Sequence, residues 1–136
     1  MTDEECRLIR QTFDSVREQA EPVSLLFYGR LFELDPSARR LFHNDLALQG
    51  RKLIDTLAAV VESLHHFEST RPRLARLGRQ HAEYGVRPEQ YEIVTAALLW
   101  AIGQALGSDF DRRARDAWTH ALAAVCTAMK EGAVPG

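Results

Sequence analysis

The feature that most constrains the fold of this chain is the helical spacing of its apolar residues, which continues almost from end to end. Apolar side chains recur every three or four residues, and the alternating runs of β-branched residues that indicate strands are missing from the sequence. Prolines and glycines divide the pattern into segments with short connections, without repeats or a long linker. The sequence therefore predicts an all-α protein of six to eight helices, with residues 1–136 forming one domain.

Capping and helix-breaking residues predict where most of these helices begin and end. Thr2, followed by three acidic residues, is expected to cap the first helix. Prolines are expected in opening turns, because the missing N–H has no helical partner there. The predicted helical segments run to about residue 19, from residue 22, over 35–42, from about 47 to 66, from Pro72 to just before Gly85, from Pro88 to about 106, and from about 111 to 131, with a link over 67–71.

Composition and charge exclude several classes of function. The formal net charge of −2 leaves no basic excess for binding nucleic acid. The N-terminus MTDEECRLIR has no apolar segment, and no run is long enough to span a bilayer, so we expect a cytoplasmic protein without membrane contacts. Cys6 and Cys126 lie far apart and are expected to be reduced, with a disulfide as the alternative. No phosphate-binding glycine loop or nucleophile elbow supports a nucleotide-binding or hydrolase function.

Three polar residues occupy apolar helical faces and are the candidates for chemistry. His81 follows Leu74 and Leu77 on one face, Gln49 heads the apolar stripe of the long helix, and Tyr28 lies within the apolar second helix. Taken singly, each also fits an ordinary core residue that hydrogen-bonds to the backbone. A single axial histidine is nevertheless enough to hold haem iron, so a ligand role for His81 stays open at this point.

Three stretches of the chain resemble bacterial single-domain globins and the globin domains of flavohaemoglobins. FYGRLFELDPSARRLF resembles their second-to-third-helix region, LGRQHAEYGVRPEQYEIVTAALL their proximal segment and following helix, and DAWTHALAAV the start of their last helix. The haem-only globins with tyrosine and glutamine on the distal side are the most similar group. The resemblance implies a globin fold with its helices around one haem b.

The resemblance also assigns roles to individual residues. His81 matches the proximal iron ligand, and Tyr28 and Gln49 match the distal residues that stabilise a bound ligand. Ser24 and Gly50 match the small residues where the second and the long helix cross. The predicted haem contacts are Phe42, which stacks on the haem edge, Lys52, which can reach a propionate, and Leu53, Leu57, Leu77, Val86, Tyr91 and Val94.

The chain departs from the flavohaemoglobin pattern in three respects. We expect no flavin or nicotinamide reductase domain after the globin segment, and the stretch between Phe42 and Gln49 is about three residues shorter. Tyr91 matches the proximal-side tyrosine, but the glutamate that accompanies it on the last helix has no match. This departure argues against a peroxidase-like proximal histidine.

The resemblance leaves two main functions to compare. The leading one is a non-enzymatic globin that reversibly binds dioxygen, with NO and CO as further diatomic ligands. The alternative is a nitric oxide dioxygenase that forms nitrate and depends on an external reductase. A haem-free or sensory module has less support, because His81 and Phe42 match haem-binding positions. We expect a monomer or a weak homodimer.

Overall fold

The computed structural model describes residues 1–42 and 45–133, and within these residues all regular structure is helical. The all-α prediction is therefore confirmed. The stretch between Phe42 and Gln49 is described only from Asp45 onward. The α-helices are α1 (Asp3–Glu18), α2 (Ala20–Leu34), α3 (Leu46–Glu62), α4 (Phe67–Glu83), α5 (Gln90–Leu106) and α6 (Arg112–Ala133), and the shorter 3-10 helices are Pro36–Leu41, Leu64–His66 and Gly107–Asp109.

Side-chain caps explain several of the observed helix starts. The Thr2 hydroxyl accepts a hydrogen bond from the Glu5 N–H at 3.1 Å, and the Glu5 carboxylate accepts one from the Thr2 N–H at 3.1 Å. This reciprocal capping box satisfies two backbone donors that have no helical partner. Asp45 and Asp111 cap α3 and α6 in a simpler way, each accepting one N–H from the first turn at 2.9 Å.

The predicted link over residues 67–71 is wrong, because α4 begins at Phe67 and includes Pro72 as its sixth residue. Pro72 removes one helical hydrogen bond, but side-chain contacts hold the turn before it. The Arg71 guanidinium contacts the Glu68 carboxylate one turn earlier and the Glu131 carboxylate on α6, both at 3.1 Å. The pair with Glu68 is local to α4, whereas the pair with Glu131 joins α4 to α6. Helical periodicity alone does not reveal the second pair.

The long helix is also shorter than predicted, because α3 ends at Glu62 instead of residue 66. The chain turns at Ser63, whose buried hydroxyl donates to the Val60 carbonyl at 3.0 Å. A 3-10 helix then carries Leu64 into the core before α4 starts.

Two helix pairs dominate the packing: α4 lies along α6, and α2 lies along α5. The α1 helix closes the core against α6, where Trp118 is almost completely buried beside Phe13. The indole N–H of Trp118 donates to the Thr12 hydroxyl at 2.8 Å, so this buried donor is satisfied. None of the helices in the described residues is long and apolar enough to cross a membrane.

The α4–α6 pair is exceptionally close because glycines meet backbone at two points. A Cβ atom on Gly78 of α4 would overlap the Met129 carbonyl, and one on Gly132 of α6 would overlap the Ala75 carbonyl. Each glycine thus faces the other helix's backbone, one turn apart. The close approach of α4 to α6 depends on the absence of a side chain at Gly78 and at Gly132.

We predict that Gly78→Ala lowers the free energy of unfolding by about 1–3 kcal/mol, because the new methyl group forces α4 and α6 apart. Gly29→Ala is the matched control, since Gly29 is exposed on α2 and nothing lies within 4 Å of an added Cβ. The control should stabilise the protein by about 0.5–1 kcal/mol through helix propensity. Urea unfolding measures whether the free energy of unfolding falls in Gly78→Ala and rises in Gly29→Ala. Equal changes in the two variants would contradict the close crossing.

Candidate functional site

The candidate site is the cleft between α3 and α4. These two helices follow one another through the Leu64–His66 turn, yet their backbones hardly touch. Each is held elsewhere: α4 packs on α6, and α3 crosses α2. The separation leaves two helix faces with side chains that reach towards a common space, and both carry residues predicted to be functional.

His81 lies half-buried on α4, in the helix's last turn. Its Nδ1 atom is 2.8 Å from the Leu77 carbonyl oxygen. A carbonyl only accepts hydrogen bonds, so Nδ1 carries the hydrogen in the neutral ring, and Nε2 keeps a free lone pair. This arrangement fixes the ring and prepares Nε2 as a metal ligand.

The turn after His81 is also tied to it. Gly85 has a φ of +100°, and its N–H donates to the Ala82 carbonyl at 3.1 Å. The next N–H, that of Val86, donates back to the His81 carbonyl at 3.0 Å. These two bonds form a Schellman motif, in which glycine is favoured at the left-handed position. The motif ends α4 as predicted and places Val86 directly beside the end of the helix that carries His81.

Across the cleft, the first turn of α3 packs tightly on α2. A Cβ on Gly50 would lie 2.6 Å from the Ser24 Oγ, and Tyr28 is the next neighbour at 3.9 Å. The predicted close crossing of Ser24 and Gly50 is therefore confirmed. The crossing places Tyr28 against the turn of α3 that also carries the half-buried Gln49.

Tyr28 is enclosed by other aromatic rings. Its side chain is 4% exposed, and its ring centroid lies 5.0 Å from that of Phe27, 5.2 Å from that of Phe42 and 6.2 Å from that of Phe32. Burial raises the pKa of the Tyr28 hydroxyl to about 12. The phenol therefore keeps its proton at neutral pH and remains a hydrogen-bond donor.

The residues predicted as haem contacts have three different environments. The buried ones are Leu57 and Tyr91, and Lys52 is exposed on α3. The half-buried ones, which pack against the core and keep part of their surface free, are Phe42, Leu53, Leu77, Val86 and Val94. A cavity in the cleft takes in only Leu77 from this set.

Tyr91 shows where the chain departs from the expected pattern. Its hydroxyl is buried without a hydrogen-bond partner in the described part of the chain, which is unusual for a polar atom. Burial, and to a smaller degree the nearby Cys126 thiol, raises the pKa of Tyr91. The α6 residues beside it are Cys126, whose Sγ lies 3.3 Å from the Thr95 hydroxyl, and Lys130, whose Nζ lies 5.7 Å from the Tyr91 ring centroid. Lys130 thus brings a cation to this ring.

The structure adds a positioning residue that the sequence did not indicate. Gln90 is buried at the start of α5, where its amide nitrogen donates to the Asp35 carboxylate at 3.0 Å and its amide oxygen accepts the Arg87 N–H at 2.8 Å. Hydrogen bonds from Gln90 and Ser37 hold the pKa of Asp35 below its usual value. Gln90 thereby links the segment before Phe42 to the turn after His81. Its place between Glu89 and Tyr91 does not single it out in the sequence.

These features fit a flat, largely apolar group that is held by one metal bond. The α3 and α4 helices offer separated apolar walls, and His81 on α4 offers a free Nε2. The described residues contain no group of three or more His, Cys, Asp or Glu side chains that could hold a metal ion. One imidazole is enough to hold haem iron, and His81 offers one whose Nε2 is free.

Comparison with known proteins identifies the family. The Globin family model matches residues 25–129, so the chain belongs to the globin family and carries the haem site that this family implies. Neuroglobin from Tetraodon nigroviridis is 27% identical over 97% of this chain and 92% of its own length. Anaerobic nitrite reductase NSHB5 from Oryza sativa subsp. indica is 27% identical over 91% of this chain and 90% of its own length.

A flavohemoprotein from Halalkalibacterium halodurans is also 27% identical, over 89% of this chain but only 30% of its own length. The relatives thus come from animals, plants and bacteria. They support the globin family as a whole, and the bacterial subgroup stays a prediction from the sequence.

We predict that the Tyr28 hydroxyl ionises only near pH 12. The measurement is phenolate absorbance as a function of pH, for the wild type and for the Tyr28→Phe variant. In the native state the difference between the two curves should have its midpoint near pH 12. In urea the midpoint of that difference should lie at about pH 10. Because the unfolded chain loses this proton first, the stability contributed by Tyr28 should fall as the pH rises from about 10 to about 12. A native midpoint near 10 would mean that the hydroxyl is solvated.

Proposed function

We propose that this globin reversibly binds dioxygen at haem b, with His81 as the iron ligand and with Tyr28 and Gln49 stabilising the oxygen ligand. The observation that carries the proposal is the position of Tyr28, buried against the turn of α3 that carries Gln49. The Tyr28 hydroxyl and the Gln49 amide are both hydrogen-bond donors, and the tight crossing of α2 and α3 brings their helices together. Haem, when bound, supplies the iron at which diatomic molecules bind.

The distal residues would act by donating hydrogen bonds. Haem would supply the iron for a diatomic ligand, and the Tyr28 and Gln49 donors would stabilise negative charge on that ligand. The Tyr28 hydroxyl keeps its proton at neutral pH, because its pKa lies near 12. The Gln49 side chain offers an amide NH₂ at any pH. A hydrogen bond of this kind contributes about 0.5–1.5 kcal/mol, which corresponds to a several-fold to about tenfold effect on ligand release.

The proximal side favours binding over peroxidase-like chemistry. The Nδ1–H of His81 is hydrogen-bonded to a neutral carbonyl, that of Leu77, so the ring keeps ordinary imidazole character. A carboxylate acceptor would draw the proton away and make the histidine more electron-rich. Beside Tyr91 the described residues of α6 place Lys130 and Cys126 instead of an acid. This chemistry suits reversible ligation.

Nitric oxide dioxygenase activity is the second candidate, and similarity to the flavohemoprotein is the observation that favours it. The same distal pair would serve both functions, and sustained turnover would need a separate reductase. Nitrate formation distinguishes the two: many turnovers with a supplied reductase favour the enzyme, and a single turnover favours the oxygen carrier.

We predict that His81→Gly loses stable haem binding, because the only axial nitrogen is removed, and that added imidazole restores it. The measurement is the Soret absorbance after gel filtration, with and without imidazole. His66→Gly is the control, since His66 is an exposed histidine at the start of α4. Normal haem retention by the His81→Gly variant without imidazole would contradict the ligand assignment.

We predict that Tyr28→Phe and Gln49→Leu each speed oxygen dissociation by several-fold to about tenfold, because each removes one donor. Tyr84→Phe controls for loss of a phenol, because Tyr84 is 75% exposed. Stopped-flow displacement of oxygen by carbon monoxide measures the rates. Unchanged rates in both distal variants would overturn the proposed role of the pair.

A further inference from the structure

The cleft between α3 and α4 contains a cavity of about 230 Å³ whose lining is divided by polarity. Its volume is below the roughly 300–1,000 Å³ of pockets that hold drug-sized ligands, so it fits a small ligand or the edge of a larger one. Apolar side chains form one part of the lining, and polar or cationic side chains form the rest. The apolar residues are Ala59, Val60, Leu74 and Leu77, and the others are Thr56, Thr70, Arg73, Arg76 and Gln80.

The two arginines of this cavity have no ion-pair partner among residues 1–42 and 45–133. This distinguishes them from Arg71, which lies on the same helix and contacts both Glu68 and Glu131. Arg73 and Arg76 are three residues apart on α4, so they share one face of the helix. Two guanidinium groups that are free of carboxylates thus reach the same opening.

The surrounding charge adds to this effect. The α4 helix carries four arginines and two glutamates, although the whole chain has a net charge of −2. Lys52 lies one turn before Thr56 on α3, so a third cation lies on the α3 side of the cleft towards this opening. The side-chain amide of Gln80, which lines the same cavity, can complete the hydrogen bonds of an anion that the guanidinium groups attract.

We propose that Arg73 and Arg76 form a carboxylate-binding site at this edge of the cleft. Guanidinium groups bind carboxylates with directed, charge-assisted hydrogen bonds, and the apolar floor accepts the hydrocarbon attached to the carboxylate. The shared ligand chemistry is therefore an alkyl carboxylate. It belongs either to a propionate of haem or to a free medium-chain fatty acid. The haem source rests on the proposed function, whereas the free acid does not.

The haem source is tested by the rate of haem loss to an excess of an apoglobin acceptor, with the protein loaded either with haem or with haem dimethyl ester. The ester lacks both carboxylate charges. The double variant Arg73→Gln/Arg76→Gln should lose haem about tenfold faster, at about threefold for each exposed arginine, and should lose the ester at the wild-type rate. Arg79→Gln is the control, because Arg79 is exposed on α4 outside the cavity lining.

The free-acid source is tested by calorimetric titration of the haem-loaded protein with octanoate. Binding that is present in the wild type and in Arg79→Gln, and lost in the double variant, supports this source. If the wild type fails to bind haem, that failure contradicts the proposed function alone. The same titration of the haem-free protein then still tests the carboxylate site.

Two results together overturn the proposal. The first is that the double variant loses haem and haem dimethyl ester at unchanged or equally accelerated rates. The second is that octanoate binding is absent or does not depend on the two arginines. Circular dichroism during thermal unfolding verifies that the double variant folds as Arg79→Gln does.

Discussion

The close crossing of α4 and α6 is the constraint on which the candidate site depends. Gly78 and Gly132 let each helix lie against the other's backbone, so α4 is anchored to α6 and stays clear of α3. Helices that pack through ordinary side chains keep axes about 8–10 Å apart. Because the glycines let α4 pack closely on α6, the opposite side of α4 is left open to the cleft. Gly78 lies three residues before His81 on α4, so the close crossing leaves space beside the part of α4 that carries His81.

The chemistry of the candidate site depends on the surroundings of its polar side chains. The Leu77 carbonyl sets the tautomer of His81, and burial keeps the Tyr28 phenol protonated. Both effects are static consequences of the fold, so no charge has to move before a ligand binds. The cations Arg73 and Arg76 lie at the cleft's edge, where a charged group can remain near solvent while its apolar part enters.

Most of the fold and the identities of the main candidates were predictable from the sequence, because helical periodicity and capping residues are local signals. Thr2 caps α1 as predicted, Gly85 ends α4, and Ser24 meets Gly50. Pro72 is the instructive failure: a proline normally marks a boundary, but here ion pairs of Arg71 hold the turn before it. The pair with Glu131 joins residues that are distant in sequence, so no local pattern reports it.

By itself, the sequence determined the all-α class, the family resemblance and the candidates His81, Tyr28 and Gln49, since these depend on residue type and spacing. Only the tertiary structure decided which partners those residues have. It placed Gln90 between Asp35 and the Arg87 backbone and brought Lys130 to the Tyr91 ring. It also left the Tyr91 hydroxyl without a partner among the residues that the structure describes. The physical reason is that side-chain hydrogen bonds and burial act over a few ångströms, between segments that only the packing of whole helices brings together.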